Sequence, residues 1–206
     1  VHASSDGVAV ISHDPSLTRL TGSDSSVSQL TYAELRRIPL GPGATFTSLA
    51  DALSEFPEAR FNIDLKSADA VLPTADAIRA ARATDRVLVT SFSNARRTAV
   101  LREIPDVATS ASAAPFLKAL LGGKLRSAAA VRRALAGTVA IQVPERTLGV
   151  AVTTERFIRQ VHAAGAEVHV WTINDAATMR LLLGRGVDGI ITDRTDVAMQ
   201  VLRAGL

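Results

Sequence analysis

The chain has 206 residues, 47% hydrophobic and 21% charged, with a formal net charge of +3 and no cysteine. That is enough apolar material for one sizeable core, and the lack of cysteine excludes disulfides and thiolate-held zinc or iron–sulfur centres. Basic pairs are scattered (Arg36-Arg37, Arg96-Arg97, Arg132-Arg133) and aromatics are only 4%, which argues against a nucleic-acid reader with a basic stripe and stacking rings.

Short Val- and Ile-rich runs flanked by turn residues predict strands at Val8–Ser12, Arg60–Lys66, Val87–Ser91, Val107–Ser110, Val139–Val143, Glu167–Asn174 and Gly189–Asp193. Helical spacing predicts helices at Thr31–Arg37, Ser48–Phe56, Ala70–Ala83, Asn94–Glu103, Pro115–Leu121, Ser127–Ala136, Thr154–Ala164, Ala176–Leu183 and Thr195–Leu202. Thr154 and Asp175 stand where N-caps belong, and Gly165, Gly184 and Gly186 where helices should stop. Alternating strands and helices imply a parallel sheet with helices outside it. Pro39–Ala44 reads as a turn-rich connector, and Pro115–Ala136 as an inserted helix pair rich in Ala and Arg, with no chemical motif. No apolar run approaches the ~18 to 20 residues of a membrane-crossing helix. Gly122-Gly123-Lys124-Leu125 is no P-loop, since no Ser or Thr follows the lysine. Neither a G-x-S-x-G elbow nor H-E-x-x-H occurs.

Three segments carry chemistry. Ser12-His13-Asp14 ends the run Val8-Ala9-Val10-Ile11, placing an imidazole at a strand end, where α/β enzymes keep their reactive groups. Histidine is the side chain best suited to exchange protons near neutrality. In Arg60–Lys66, period-two alternation sets Asn62, Asp64 and Lys66 on one face and Phe61, Ile63 and Leu65 on the other. Three polar groups on one face of a buried strand must pair or bind something. Lysine is scarce here, three among 23 basic residues, so Lys66 is no compositional accident. An internal Asp64–Lys66 pair without a ligand is the alternative. Glu167–Asn174 holds the only tryptophan, Trp171, read either as a pocket wall or as a core ring. His162 and His169 read as structural or surface residues.

Together these segments resemble the glycerophosphodiester phosphodiesterase family. Val1–Arg19 is similar to its block E-x-D-V, a polar D-G turn, and an apolar strand ending in H-D-x-x-L-x-R. The match begins at Val1, so the E-x-D and an earlier H-R-G strand with a second catalytic histidine fall before it. Arg60–Lys66 is similar to N-I-E-I-K, with Asp64 for the usual Glu. Thr90–Ser93 resembles the S-S-F strand end, Glu167–Asn174 the V-x-V-W-T-V-N block, and Gly186–Asp193 the G-V-D-G-I-I-T-D strand.

The resemblance implies an α/β fold of TIM-type (β/α)₈ barrel, incomplete by its first one to two strands, since such a barrel usually needs about 250 residues. It implies one domain over residues 1–206, truncated at its N-terminal side. The implied reaction is metal-dependent hydrolysis of a glycerophosphodiester to an alcohol and glycerol 3-phosphate, placing the chain in lipid and glycerol metabolism. His13 would be the general acid and Asp64 a ligand of Mg²⁺ or Ca²⁺. Lys66, Trp171, Ser91 and Phe92 would contact substrate, and Asp193 would support the mouth. A small-molecule substrate, no nucleic acid and no stable membrane insertion are expected, with the compartment open and the cytoplasm favoured. With one of two histidines and one metal carboxylate, weak turnover is expected. The alternatives are a non-catalytic phosphate-binding fragment and a related phospholipase-type barrel.

Overall fold

The opening segment folds back on itself. In the computed structural model, which describes residues 1–147 and 149–205, β1 (His2–Ala3) pairs antiparallel with β2 (Ala9–Val10). Gly7, at φ +77°, makes the turn, and the Ser4 hydroxyl closes it by donating to Asp6 Oδ1 at 2.6 Å and accepting from the Val8 amide at 2.9 Å. The strand expected at Val8–Ser12 is thus a two-residue arm of a hairpin, not a parallel sheet strand. The chain divides into two units, Val1–Ala108 and Thr109–Leu206.

In the first unit, residues 15–47 make an excursion: α1 (Thr18–Thr21), a 3₁₀ turn (Val27–Gln29), α2 (Tyr32–Leu35), and a hairpin of β3 (Pro39–Gly41) and β4 (Ala44–Thr45). That hairpin occupies the stretch read as a mere connector. The excursion has its own small core of Val10, Leu17, Val27, Leu35 and Phe46, each at most 2% exposed. A reciprocal capping box starts α2: Thr31 Oγ1 accepts from the Glu34 amide, and Glu34 Oε2 accepts from the Thr31 amide. After α3 (Leu49–Glu55) come parallel strands β5 (Phe61–Asp64) and β6 (Val87–Thr90), joined through α4 (Val71–Ala80) and followed by α5 (Asn94–Glu103) and β7 (Ala108–Thr109). The alternation of β5 holds. Ile63 and Leu65 are buried in the main core with Leu53, Ile78, Val89 and Val100, while Asn62 is exposed and Asp64 and Lys66 are half-buried.

The second unit begins with the helix pair α6 (Ala113–Lys124) and α7 (Ala128–Leu135), in the stretch read as an insertion. Parallel strands β8 (Ala140–Pro144), β11 (Glu167–Trp171) and β12 (Gly189–Ile190) form a sheet with β11 in the middle. A short hairpin, β9 (Arg146–Thr147) and β10 (Val150–Ala151), follows β8. Helices α8 (Glu155–His162), α9 (Ala176–Gly184) and α10 (Thr195–Arg203) complete the unit. Thr154 and Asp175 do cap α8 and α9, accepting from the Phe157 and Thr178 amides. Phe157, Ile158 and Val161 of α8 enter a core with Val168, Val170 and Leu182.

Two glycines let α6 approach its neighbours. A Cβ on Gly122 would lie 2.9 Å from the Ala130 Cβ on α7, and one on Gly123 would lie 2.7 Å from the Phe157 ring on α8. Gly123→Val therefore forces this junction apart. It should cost about 1–3 kcal/mol and lower the thermal midpoint by about 2–4 °C per kcal/mol for a chain of this size. An unchanged midpoint in a melting experiment would refute this packing.

Candidate active site

The alternation of β5 places Asp64 and Lys66 on one face, two residues apart, so they pair without long-range ordering. Lys66 Nζ lies 2.8 Å from Asp64 Oδ2, with the side chains 26% and 29% exposed. The same Nζ lies 3.5 Å from His13 Nε2, at the outer edge of hydrogen bonding. An imidazole 53 residues away in sequence therefore meets the end of β5. The expected pair of Asp64 and Lys66 forms, and it is not closed: Asp64 Oδ1 is buried without a hydrogen-bond partner.

His13 is held on its other side. Its Nδ1 is 2.6 Å from Asp14 Oδ1, and Arg19 Nε donates to Asp14 Oδ2 at 2.6 Å. Hydrogen bonds from His13 and Arg19 keep the Asp14 carboxyl below its ordinary range, so it stays ionised and acts as acceptor. An ionised acceptor at Nδ1 favours the tautomer with the proton there, which leaves Nε2, the nitrogen facing Lys66, as the acceptor. His2, on β1, supports the backbone of this segment, its Nε2 lying 3.3 Å from the His13 carbonyl oxygen. Val1 ties β1 to the end of β5: its nitrogen donates to the Asp64 carbonyl at 2.6 Å, and its carbonyl accepts from the Lys66 amide at 3.1 Å.

Beside Lys66 lies a cavity of about 200 Å³, lined by His2, Pro15, Ser28, Lys66, Ser67 and Asp69 among others. Ser67 Oγ is buried there without a hydrogen-bond partner. Two orphaned oxygens, Asp64 Oδ1 and Ser67 Oγ, thus stand next to a cationic lysine, in a site with polar capacity to spare.

Ser91 does not line an open mouth as expected. It is 1% exposed, and its hydroxyl donates to the Leu65 carbonyl at 2.8 Å while accepting from Arg96 Nε at 2.9 Å. Its hydrogen-bonding capacity goes to fastening β6 to the end of β5. Phe92, next in sequence, is 57% exposed. Trp171 ends β11 in the second unit and is half-buried, on the face opposite Val168 and Val170, which are fully buried. On that face His169 sits between Glu167 Oε2 at 2.9 Å and Gln142 at 3.4 Å. His162 pairs with Asp188 at 2.7 Å, and Asp188 also accepts from the Val168 amide. Asp193 is exposed and bound through its backbone and side chain to Asn174. Sequence reading missed His2, Arg19 and Arg96. Arg19 had a signal in its motif position; the other two had none beyond polarity.

Asp64 is an oxygen donor of the kind a hard divalent cation takes, but such an ion takes six or more oxygens. Among the described residues no three His, Cys, Asp or Glu side chains gather to hold one. The residues present do not make a self-sufficient metal centre, and no chemical step is assigned to a metal here.

The comparisons with known proteins agree on one family. The model of the glycerophosphoryl diester phosphodiesterase family matches residues 1–197. The curated "Probable glycerophosphodiester phosphodiesterase 2" of Mycobacterium tuberculosis is 41% identical over 205 residues, 99% of this chain and 78% of that protein. A phosphodiesterase of Oleispira antarctica, solved with the product sn-glycerol-3-phosphate, matches with a TM-score of 0.78 at 20% identity, over 98% of this chain and 82% of its own. The glycerophosphoryl diester phosphodiesterase domain of another M. tuberculosis protein gives 0.78 at 20% identity, over 98% and 86%. The structural likeness shows the fold, an α/β barrel of TIM type.

Burial lowers the pKa of His2 below its ordinary 6.5, so the folded chain holds that ring neutral. The unfolded chain takes up the proton first as pH falls, so this stability is present above about 6.5 and lost below it. The thermal midpoint should fall between about pH 7 and about pH 5, and His2→Gln should lessen that fall. An equal fall in the variant would show that His2 is not the titrating group.

Proposed function

The chain belongs to the glycerophosphoryl diester phosphodiesterase family, and from that premise we propose that its His13–Lys66–Asp64 cluster cleaves a glycerophosphodiester into an alcohol and glycerol 3-phosphate. The observation that carries the proposal is the place of the Lys66 ammonium, 2.8 Å from a carboxylate and 3.5 Å from an imidazole nitrogen. A phosphodiester is a monoanion, and a lysine beside a cavity is a point charge to receive it. His13 Nε2, 3.5 Å from that ammonium, is the proton-bearing group this reading sets beside a phosphate held by Lys66.

In this reading Lys66 turns from His13 to the phosphate, and His13 serves as the general acid. As the oxygen of a water bonds to phosphorus and the bond to the leaving oxygen breaks, Nε2 gives its proton to that oxygen; the alcohol leaves neutral, and the attacking water's proton passes to solvent, leaving the phosphomonoester. Asp14, fixed by Arg19, holds the plane of the ring throughout. A proton delivered in this way is typically worth ~10² to 10⁴ in rate. The cavity lined by Ser28, Ser67 and Asp69 is the proposed berth of one end of the substrate. Asp64 is the one carboxylate this reading assigns to a Mg²⁺ or Ca²⁺ ion; members of the family generally depend on a divalent metal. By correspondence with the family's motif, Trp171 and Phe92 are proposed as substrate contacts.

The test is release of glycerol 3-phosphate from glycerophosphocholine, measured in chelator and with added Mg²⁺ or Ca²⁺. His13→Ala should lower kcat by about 10² or more with little change in KM. Lys66→Met should raise KM as well. Turnover in His13→Ala equal to the parent's would overturn the assignment, as would a cyclic phosphate as the product.

A further inference from the structure

The helix pair α6–α7 carries a surface that the hydrolytic site does not use. Gly122 and Gly123 press one side of α6 against α7 and α8, and Phe116 and Ala119 are buried with them. The 3.6-residue period then sends Leu117, Leu121 and Leu125 to the opposite side, in line at every fourth residue. They are 42%, 59% and 71% exposed. Single exposed leucines are ordinary, but three in a row on one helix face are an apolar stripe.

The charge carried by the helix pair itself has one sign. From residue 107 to residue 144 there is no Asp or Glu, and five basic residues occur: Lys118, Lys124, Arg126, Arg132 and Arg133. All five are exposed. Among the described residues none of them meets a carboxylate in an ion pair. Lys118 and Lys124 flank the leucines on α6, where their stems can lie along an apolar layer while the ammonium groups stay in water. An apolar stripe on a helix pair whose own charges are all cations is the pattern of a helix that lies in the interface of an anionic bilayer. No helix among the described residues is long and apolar enough to cross one.

We propose that the exposed face of α6, with the flanking cations of α7, docks this chain peripherally on an anionic phospholipid surface. The leucines enter the boundary between headgroups and acyl chains, and the five cations meet lipid phosphates. This rests on the α6–α7 surface alone and is independent of the reaction assigned above.

The probe is co-sedimentation of the chain with vesicles of equimolar phosphatidylglycerol and phosphatidylcholine, against vesicles of phosphatidylcholine alone. The protein should pellet with the anionic vesicles at least about tenfold better, and raising salt from about 0.1 M to about 0.5 M should weaken the binding. The triple variant Leu117→Gln, Leu121→Gln, Leu125→Gln should lose about tenfold or more of this partition with an unchanged thermal midpoint. Should that variant misfold, Lys118→Gln with Lys124→Gln and Arg132→Gln should lose the preference for anionic vesicles instead. The proposal is overturned if the parent stays in the supernatant with anionic vesicles, or if neither variant binds less well than the parent. It is equally overturned if sedimentation velocity shows a parent dimer that the triple leucine variant converts to monomer, since a second copy would then cover the stripe.

Discussion

One ammonium group organises the candidate site. Lys66 Nζ stands between the Asp64 carboxylate, two residues away on the same strand face, and His13 Nε2, which arrives from a separate part of the fold. The first contact is set by strand geometry alone. A half-buried pair of this kind adds little to stability by itself. Its value is positional, because it holds a flexible four-carbon stem with its charge at the end of β5.

The second contact requires far more of the chain. His13 lies beyond a hairpin arm of two residues, and its ring is 76% exposed. What fixes it is a set of small anchors. The Asp14–Arg19 pair holds Nδ1, His2 holds the His13 carbonyl, and the small core of Val10, Leu17, Val27, Leu35 and Phe46 holds the excursion that follows. The Ser91 hydroxyl, bonded to the Leu65 carbonyl and to Arg96, fastens β6 beside the residue that precedes Lys66. The ordered side of the site is thus built from polar groups with their partners assigned, while Asp64 Oδ1 and Ser67 Oγ are left over.

The sequence made the regular elements legible where a periodic signal and a cap coincide. Asn94–Glu103 has the predicted bounds, and Thr154 and Asp175 cap the helices they precede. The polar and apolar faces of β5 follow directly from alternation. Much of the site was legible too, because the H-D motif and the polar face of β5 are both local patterns. What could not be read is non-local. Nothing near Val8–Ile11 says that its partner is His2–Ala3 in antiparallel register. Nothing near Ser91 says that its hydroxyl is already bonded to Arg96 and Leu65, so an expected ligand contact became a buried fastener. The exposure of Leu117, Leu121 and Leu125 follows from two glycines that select which side of α6 packs, and periodicity alone does not choose that side.

The most direct measurement is an NMR titration of the imidazole nitrogens with sn-glycerol 3-phosphate, in the parent chain and in Lys66→Met. The account predicts a saturable shift of His13 Nε2 in the parent, with His162 and His169 unmoved, and loss of that shift in the variant. Saturable binding that leaves His13 unperturbed, or that persists unchanged without the lysine, would contradict it.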